Sequence, residues 1–268
     1  MPELAAAASN AEAEKEPMAT MGFLDHLEEL RKRIVYSAIS IAVGAGVCWG
    51  YREQIYGVMQ RPIMNALHAN GLSEKLVYLN PTEPFNLYLK IAALAGLFLT
   101  SPIVLYQVWM FISPGLYRNE KRYVVPFMVS TIALFTCGGY FGYKIAYPRA
   151  LEFLIAFGKQ FQPMITIGEY THLFLSIVLG MGLIFEMPVI VFFLAFMGIL
   201  SPEFMWKHLR YAVLIIFIIA AIVTPTPDVF NMCVFASPML GLYALSIGVA
   251  WLVHPKQRDA RNKEKQAQ

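Results

Sequence analysis

The sequence predicts an all-α polytopic membrane protein. It has six transmembrane helices, both termini on the cytoplasmic side, two extracytoplasmic cap loops and a short fifth span. Three observations carry this. Of the 268 residues, 57% are hydrophobic and only 15% charged, whereas a soluble domain carries about 25% charged residues. The apolar residues gather into runs near 34–51, 85–112, 123–147, 170–197, 209–223 and 229–253, most of them approaching the roughly 20 residues a helix needs to cross a hydrocarbon core. Finally, 14 of the 21 Lys and Arg residues fall in the segments that an even span count places on one side, and an excess of basic residues marks the cytoplasmic side.

Taken in order, residues 1–20 are acidic and Ala-rich, with no basic stretch before an apolar one. They are expected to be a disordered tail rather than a cleaved leader. In "FLDHLEELRKRI", Phe23, Leu27, Leu30 and Ile34 recur at helical spacing, and Glu28–Lys32 and Glu29–Arg33 are favourable i,i+4 pairs. An interfacial helix leading into span one follows. Ile55, Val58, Met59, Ile63 and Leu67 then form a helical stripe, the mark of an amphipathic helix on the outer surface. "PRALEFLIAF" repeats the pattern with Leu151, Leu154, Ile155 and Phe157, and the two segments are expected to cap one end of the bundle. The fifth span holds only 13 residues between Tyr211 and Val223 before "TPTPD", whose prolines cannot continue a helix. The domain organisation expected is thus a tail at 1–20, a membrane domain at 21–253 and a basic cytoplasmic tail at 254–268.

Four places hold polar groups that such a bundle does not require. Asp25, Glu28 and Glu29 precede span one on the side where acids repel anionic lipid, and they serve either as a binding surface or as solvated charge. Glu120 stands among Arg118, Lys121 and Arg122, just after the Pro114–Gly115 turn and near Phe111. Together they make either a carboxylate-and-aromatic rim or a basic loop with one neutralising acid. Glu186 lies mid-span in "FEMPV", two residues before Pro188. A carboxylate at that depth costs about 2.5–3.5 kcal/mol on insertion scales and marks function unless a neighbouring helix satisfies it. Asp228 is placed to cap span six, satisfying its first amides and the helix dipole. Cys48, Cys137 and Cys233 read as small buried hydrophobes, and the five histidines show no metal-ligand spacing. No metal, cofactor or nucleic-acid partner is expected.

Four signatures, "HLEELRKRI", "FISPGLYRNEKRYVVPF", "FEMPV" and "TPTPDVFN", resemble in order and placement those of the C subunit of the twin-arginine protein translocase, the TatC family. The similarity spans about residues 21 to 253. It implies a receptor in the bacterial cytoplasmic (inner) membrane that binds twin-arginine signal peptides of folded cargo at the cytoplasmic face. It also implies assembly with TatA/TatB-like single-span subunits in a multi-copy complex, and export driven by the proton-motive force. Carried over, the signal-peptide site comprises Glu29 and Glu120, with Phe111, Pro114, Leu116, Tyr117 and Arg118 as neighbours. Glu186 and Pro188 become a partner-helix contact or a helix bend. The chemistry agrees, because guanidinium pairs with carboxylate through two charge-assisted hydrogen bonds where an ammonium cannot. The alternative is a proton-coupled secondary transporter of a small solute, using Glu186. Such folds show internal repeats, and none is evident here. An enzyme is not expected: His172 and Ser176 share a helix face, but no third group orients them.

Overall fold

The computed structural model describes residues 23–73, 75–112, 124–158, 160–161, 164–223 and 229–253. Among them the chain is almost entirely helical, with no strand. Four helical segments are long and apolar enough to cross a membrane, Asp25–Gly50, Glu83–Phe111, Ile167–Ala195 and Phe235–Leu252, and Leu209–Ile222 is a shorter apolar helix.

Helix α1 (Phe23–Gly50) is continuous, so the interfacial segment and span one form one rod. It lies along α4 (Glu83–Ile112). The two backbones meet at Gly44 and Gly96: a Cβ on Gly96 would stand 2.4 Å from the Ala45 nitrogen, and one on Gly44 2.8 Å from the Gly96 carbonyl. Small residues permit this approach where lipid supplies no hydrophobic drive between helices. Pro102 sits inside α4 and cannot donate to the carbonyl four residues back. The Ser101 hydroxyl donates to that Phe98 carbonyl instead, at 2.8 Å.

Two short helices follow α1, α2 (Arg52–Met59) and α3 (Arg61–Ala69). The expected amphipathic stripe is real but divided. Met59, Ile63 and Leu67 are buried, whereas Val58 is 44% exposed. The chain changes helix at Gln60, so positions beyond it take a new phase. Nor does the stripe rest on lipid alone, because α3 packs against α6 (Tyr147–Phe157). Helix α5 (Val124–Phe141) runs through a π-helical turn, Gly142–Ala146, straight into α6. The second cap segment is therefore the continuation of span three. Pro148, at the start of α6, has no N–H for the Lys144 carbonyl, and the π turn is where the ladder adjusts. Leu151 and Ile155 are buried, but Phe157, expected on the same face, is 82% exposed at the helix end.

Helix α7 (Ile167–Ile184) starts at Thr166, whose hydroxyl accepts from the Glu169 amide at 3.3 Å. Val77 pairs with this start: its amide donates to the Ile165 carbonyl at 3.0 Å and its carbonyl accepts from Ile167 at 2.8 Å. Two tyrosines fasten α2 to the bundle. Tyr170 of α7 donates to the Met59 carbonyl, and Tyr143 of the π turn donates to the Val58 carbonyl at 2.9 Å. Carbonyls at a helix C-terminus lack intrahelical partners, so these bonds serve groups that otherwise need water. The Tyr170 bond is buried, and leaving such a group unmet costs about 1–3 kcal/mol. Tyr170→Phe is expected to lower the unfolding midpoint clearly in detergent, and Tyr143→Phe, at an exposed bond, to lower it less.

Beyond α7 come α8 (Met187–Phe196), α9 (Pro202–Lys207), α10 (Leu209–Val223) and α11 (Val229–Val253). Helix α8 ends where Gly198, at φ +72°, turns the chain in the left-handed conformation that glycine adopts freely. Helix α10 has 15 residues, about 22 Å at 1.5 Å per residue, against a hydrocarbon core of about 30 Å. The short fifth span is thus observed, with the bounds of the apolar run at 209–223. The cysteine expectation holds only in part. Cys48 is buried, whereas Cys137 and Cys233 are exposed, because an apolar run in this fold faces lipid as often as protein.

Candidate functional site

His26, Glu29 and Arg33 share one face of α1 at helical spacing, and His26 and Arg33 reach α4 from it. The Arg33 guanidinium reaches in two directions. Its Nη2 donates to Glu29 Oε1 at 3.2 Å, and its Nη1 donates to the Gln107 side-chain oxygen of α4 at 2.9 Å. One turn further along α4, the Phe111 ring stacks on His26, with centroids 4.4 Å apart and planes 17° from parallel. Glu29 and Phe111, both expected at the site, thus come together on one helix seam. The Glu29 side chain retains only 16% of its exposure. Among the described residues its second oxygen, Oε2, is buried with no hydrogen-bond partner, as is Arg33 Nε. Of the two Glu29 oxygens, only Oε1 is engaged among these residues. By contrast, Glu28 points outward, pairing with Lys32 at 2.9 Å while 64% exposed.

Glu120, Pro114, Leu116, Tyr117 and Arg118 lie outside the described residues, as does Asp228. The structure adds three side chains to the site. Arg33 read as a topology anchor in the sequence, and its second task shows only when α4 is in place. Gln107 carried a signal that was available, an amide inside the apolar run "VLYQVWMF", since polar side chains in a span are costly. His26 is three residues before Glu29 and therefore on the same helix face.

The second place is the break between α7 and α8. Helix α7 ends at Ile184, and Glu186 precedes Met187–Phe196 with Pro188 in the first turn. Proline fits there because its missing N–H would be unsatisfied in any case. Glu186 is 9% exposed, and its Oε1 has no hydrogen-bond partner among the described residues. The next turn carries Val189 and Phe193, which cluster with Trp109 of α4, the Trp109 and Phe193 rings 4.1 Å apart. A buried polar group without a partner costs about 1–3 kcal/mol in protein mutational data. Glu186→Leu is therefore expected to raise the unfolding midpoint of the isolated protein. An unchanged or lowered midpoint would mean that the carboxyl is satisfied by contacts on this chain. Among the described residues no group of three or more His, Cys, Asp or Glu side chains is placed to hold a metal.

Residues 25–238 match the family model of the Sec-independent protein translocase protein (TatC). This chain belongs to the TatC family. It is 63% identical over 261 residues to the Sec-independent protein translocase protein TatC of Koribacter versatilis (strain Ellin345), a match covering 97% of this chain and 96% of that one. It is 38% identical over 244 residues to the protein of the same name from Carboxydothermus hydrogenoformans, with 91% and 98% covered. The fold agrees with a crystal structure of a twin arginine translocase receptor, TatC. The TM-score is 0.74 at 34% identity, over 85% of this chain and 99% of that chain. The helical membrane architecture is therefore that of TatC, and both Glu29 and Glu186 lie inside the matched region.

Proposed function

We propose that this TatC protein is the receptor subunit of a twin-arginine translocase. In this reading it binds the signal peptides of folded cargo at the cytoplasmic end of the α1–α4 seam. The observation that carries the reading is the Glu29 carboxylate, held by Arg33 on one oxygen and unmet on the other among the described residues, beside a stacked aromatic pair. An arginine of the ligand would take the unmet oxygen and compete with Arg33 for the rest. The second arginine would go to Glu120, with Pro114, Leu116, Tyr117 and Arg118 as its surroundings. Phe111 would meet the apolar part of the peptide.

The wider reading follows. The chain spans the bacterial inner membrane six times with both termini cytoplasmic, tails at 1–20 and 254–268 flanking the membrane domain. It assembles in several copies with single-span subunits and exports cargo at the expense of the proton-motive force. Glu186, whose Oε1 is unmet among the described residues and which the Pro188 break follows, would receive a polar group of a partner's transmembrane helix. Such contacts average about 0.6 kcal/mol, which suits reversible recruitment. Asp228 would cap α11.

The test is photocrosslinking in membranes to a peptide bearing Arg-Arg and to its Lys-Lys twin. Wild type is run beside Glu29→Ala and Glu120→Ala. Strong Arg-Arg labelling, lost with Lys-Lys and reduced in both variants, is expected. Labelling indifferent to both changes would remove the receptor reading.

A further inference from the structure

Two cavities meet at Tyr143. One is polar, about 480 Å³, and lies between α3 and the π turn leading into α6; Arg61, Asn65, Asn70, Lys144 and Glu152 are on its walls. The other is apolar, about 380 Å³, lined by Ile55, Met59, Ile91, Phe98, Phe174 and Val178 among others. Both volumes fall in the range of ligand sites, about 300–1,000 Å³. Tyr143 lines both, and its hydroxyl is tied to the Val58 carbonyl at 2.9 Å. The wall is therefore fixed on each side. Val58 and Met59 line the apolar cavity while Arg61 and Pro62 line the polar one, and the same step occurs from Tyr143 to Lys144.

The charge of the polar cavity is uneven. Glu152 is engaged by Arg149 at 3.4 Å, which leaves that pair neutral. Arg61 and Lys144 meet no carboxylate within ion-pair distance among the described residues. Lys144 lies instead 5.6 Å from the centre of the Tyr143 ring. Two cations thus face the cavity unpaired among the described residues, beside one carboxylate, Glu152, that Arg149 already engages.

Depth is the second observation. The polar cavity is built by α3, outside the long apolar spans, and by the π turn and the start of α6, where span three passes into the cap. The apolar groove runs from Ile91 to Phe98 along α4 and from Phe174 to Val178 along α7. Both helices are spans long enough to cross a membrane, so the groove leads from the membrane surface inward. A cationic pocket at the surface over an apolar groove in the hydrocarbon has the polarity of one kind of molecule. The π turn carrying Tyr143 and Lys144 is also a local irregularity of the sort that clusters at functional sites.

We propose that these two cavities form a single site for an anionic membrane phospholipid, its phosphate between Arg61 and Lys144 and one acyl chain in the groove behind Tyr143. The site uses the Ile91–Phe98 stretch of α4, away from the Gln107 and Phe111 positions of the seam, and does not depend on the receptor reading.

Native mass spectrometry of the full chain, released from mild detergent with added phosphatidylglycerol, tests the proposal. A retained one-to-one lipid adduct is expected. Each basic residue near an anionic headgroup is worth about a factor of five in affinity, so Arg61→Gln with Lys144→Gln should lower occupancy by roughly tenfold or more. Both side chains are exposed, and this double variant should fold normally. Phosphatidylcholine, with no net charge, should bind several-fold less than phosphatidylglycerol. Ala95→Phe, which fills the groove, should lower occupancy with both cations intact. Inorganic phosphate should not displace the lipid; if it does, the pocket is an anion site and the lipid assignment fails. Equal retention of phosphatidylglycerol by wild type and the double variant would also overturn it.

Discussion

Gly96→Leu is expected to unfold the first half of the bundle, with the detergent unfolding midpoint falling sharply and little folded protein recovered. The reason is geometric. At Gly96 the first side-chain carbon alone would stand 2.4 Å from the Ala45 nitrogen and 2.7 Å from its Cα. Both are backbone atoms, so no rotamer change relieves the overlap and the two helices must separate. Inserting methylenes into well-packed contacts costs about 1–3 kcal/mol even where side chains can give way, and here they cannot. Separation also removes the Arg33–Gln107 hydrogen bond and the His26–Phe111 stack, so the candidate site is lost with the seam. The control is Gly46→Ala on the facing helix α1, where nothing lies within 4 Å of the new carbon. That change should be neutral or stabilise by about 0.5–1 kcal/mol, because glycine inside a helix is entropically costly. If Gly96→Leu melted like wild type, α1 and α4 would not cross where described.

This crossing also shows how far the sequence could be read. Span positions followed from apolar runs and basic residues, and the short α10 followed from the prolines after Val223, because both depend on composition that is local in the chain. The pairing of α1 with α4 was not legible, since Gly44 and Gly96 carry no sign of each other. In lipid, moreover, an apolar residue reports neither a protein nor a lipid neighbour. Cys137 and Cys233 went astray for that reason. At the site, Glu29 and Phe111 were legible as types in unusual places. The state of Glu29 was not, since which of its oxygens is engaged depends on Arg33 being drawn toward Gln107 of α4. The cap was half legible: the stripes of α3 and α6 were visible, but the phase change at Gln60 and the unbroken α5–α6 rod are backbone events.

The second large effect separates two neighbouring glutamates. Glu29→Gln keeps the size of the side chain and removes its charge, and it is expected to weaken binding of an Arg-Arg signal peptide by roughly ten- to a hundredfold. That range follows from about 1.5–3 kcal/mol for a hydrogen bond to a charged group, at 1.4 kcal/mol per decade of affinity. Glu28→Gln should alter binding by less than about threefold, because an exposed ion pair such as Glu28–Lys32 contributes little. Arg33→Gln decides how the site works. If Arg33 is a competitor that the ligand's arginine displaces, its removal leaves Glu29 without a counter-ion and binding should hold or tighten, even as stability falls with loss of the Gln107 bond. A loss as deep as that of Glu29→Gln would mean instead that Arg33 positions the carboxylate, and exchange of guanidiniums would be excluded. Fluorescence anisotropy of labelled Arg-Arg and Lys-Lys peptides on the three variants in nanodiscs reads all of these outcomes. The Lys-Lys peptide should bind weakly to wild type and be indifferent to Glu29→Gln, because an ammonium gains little from an acceptor placed to be shared by two nitrogens of one plane.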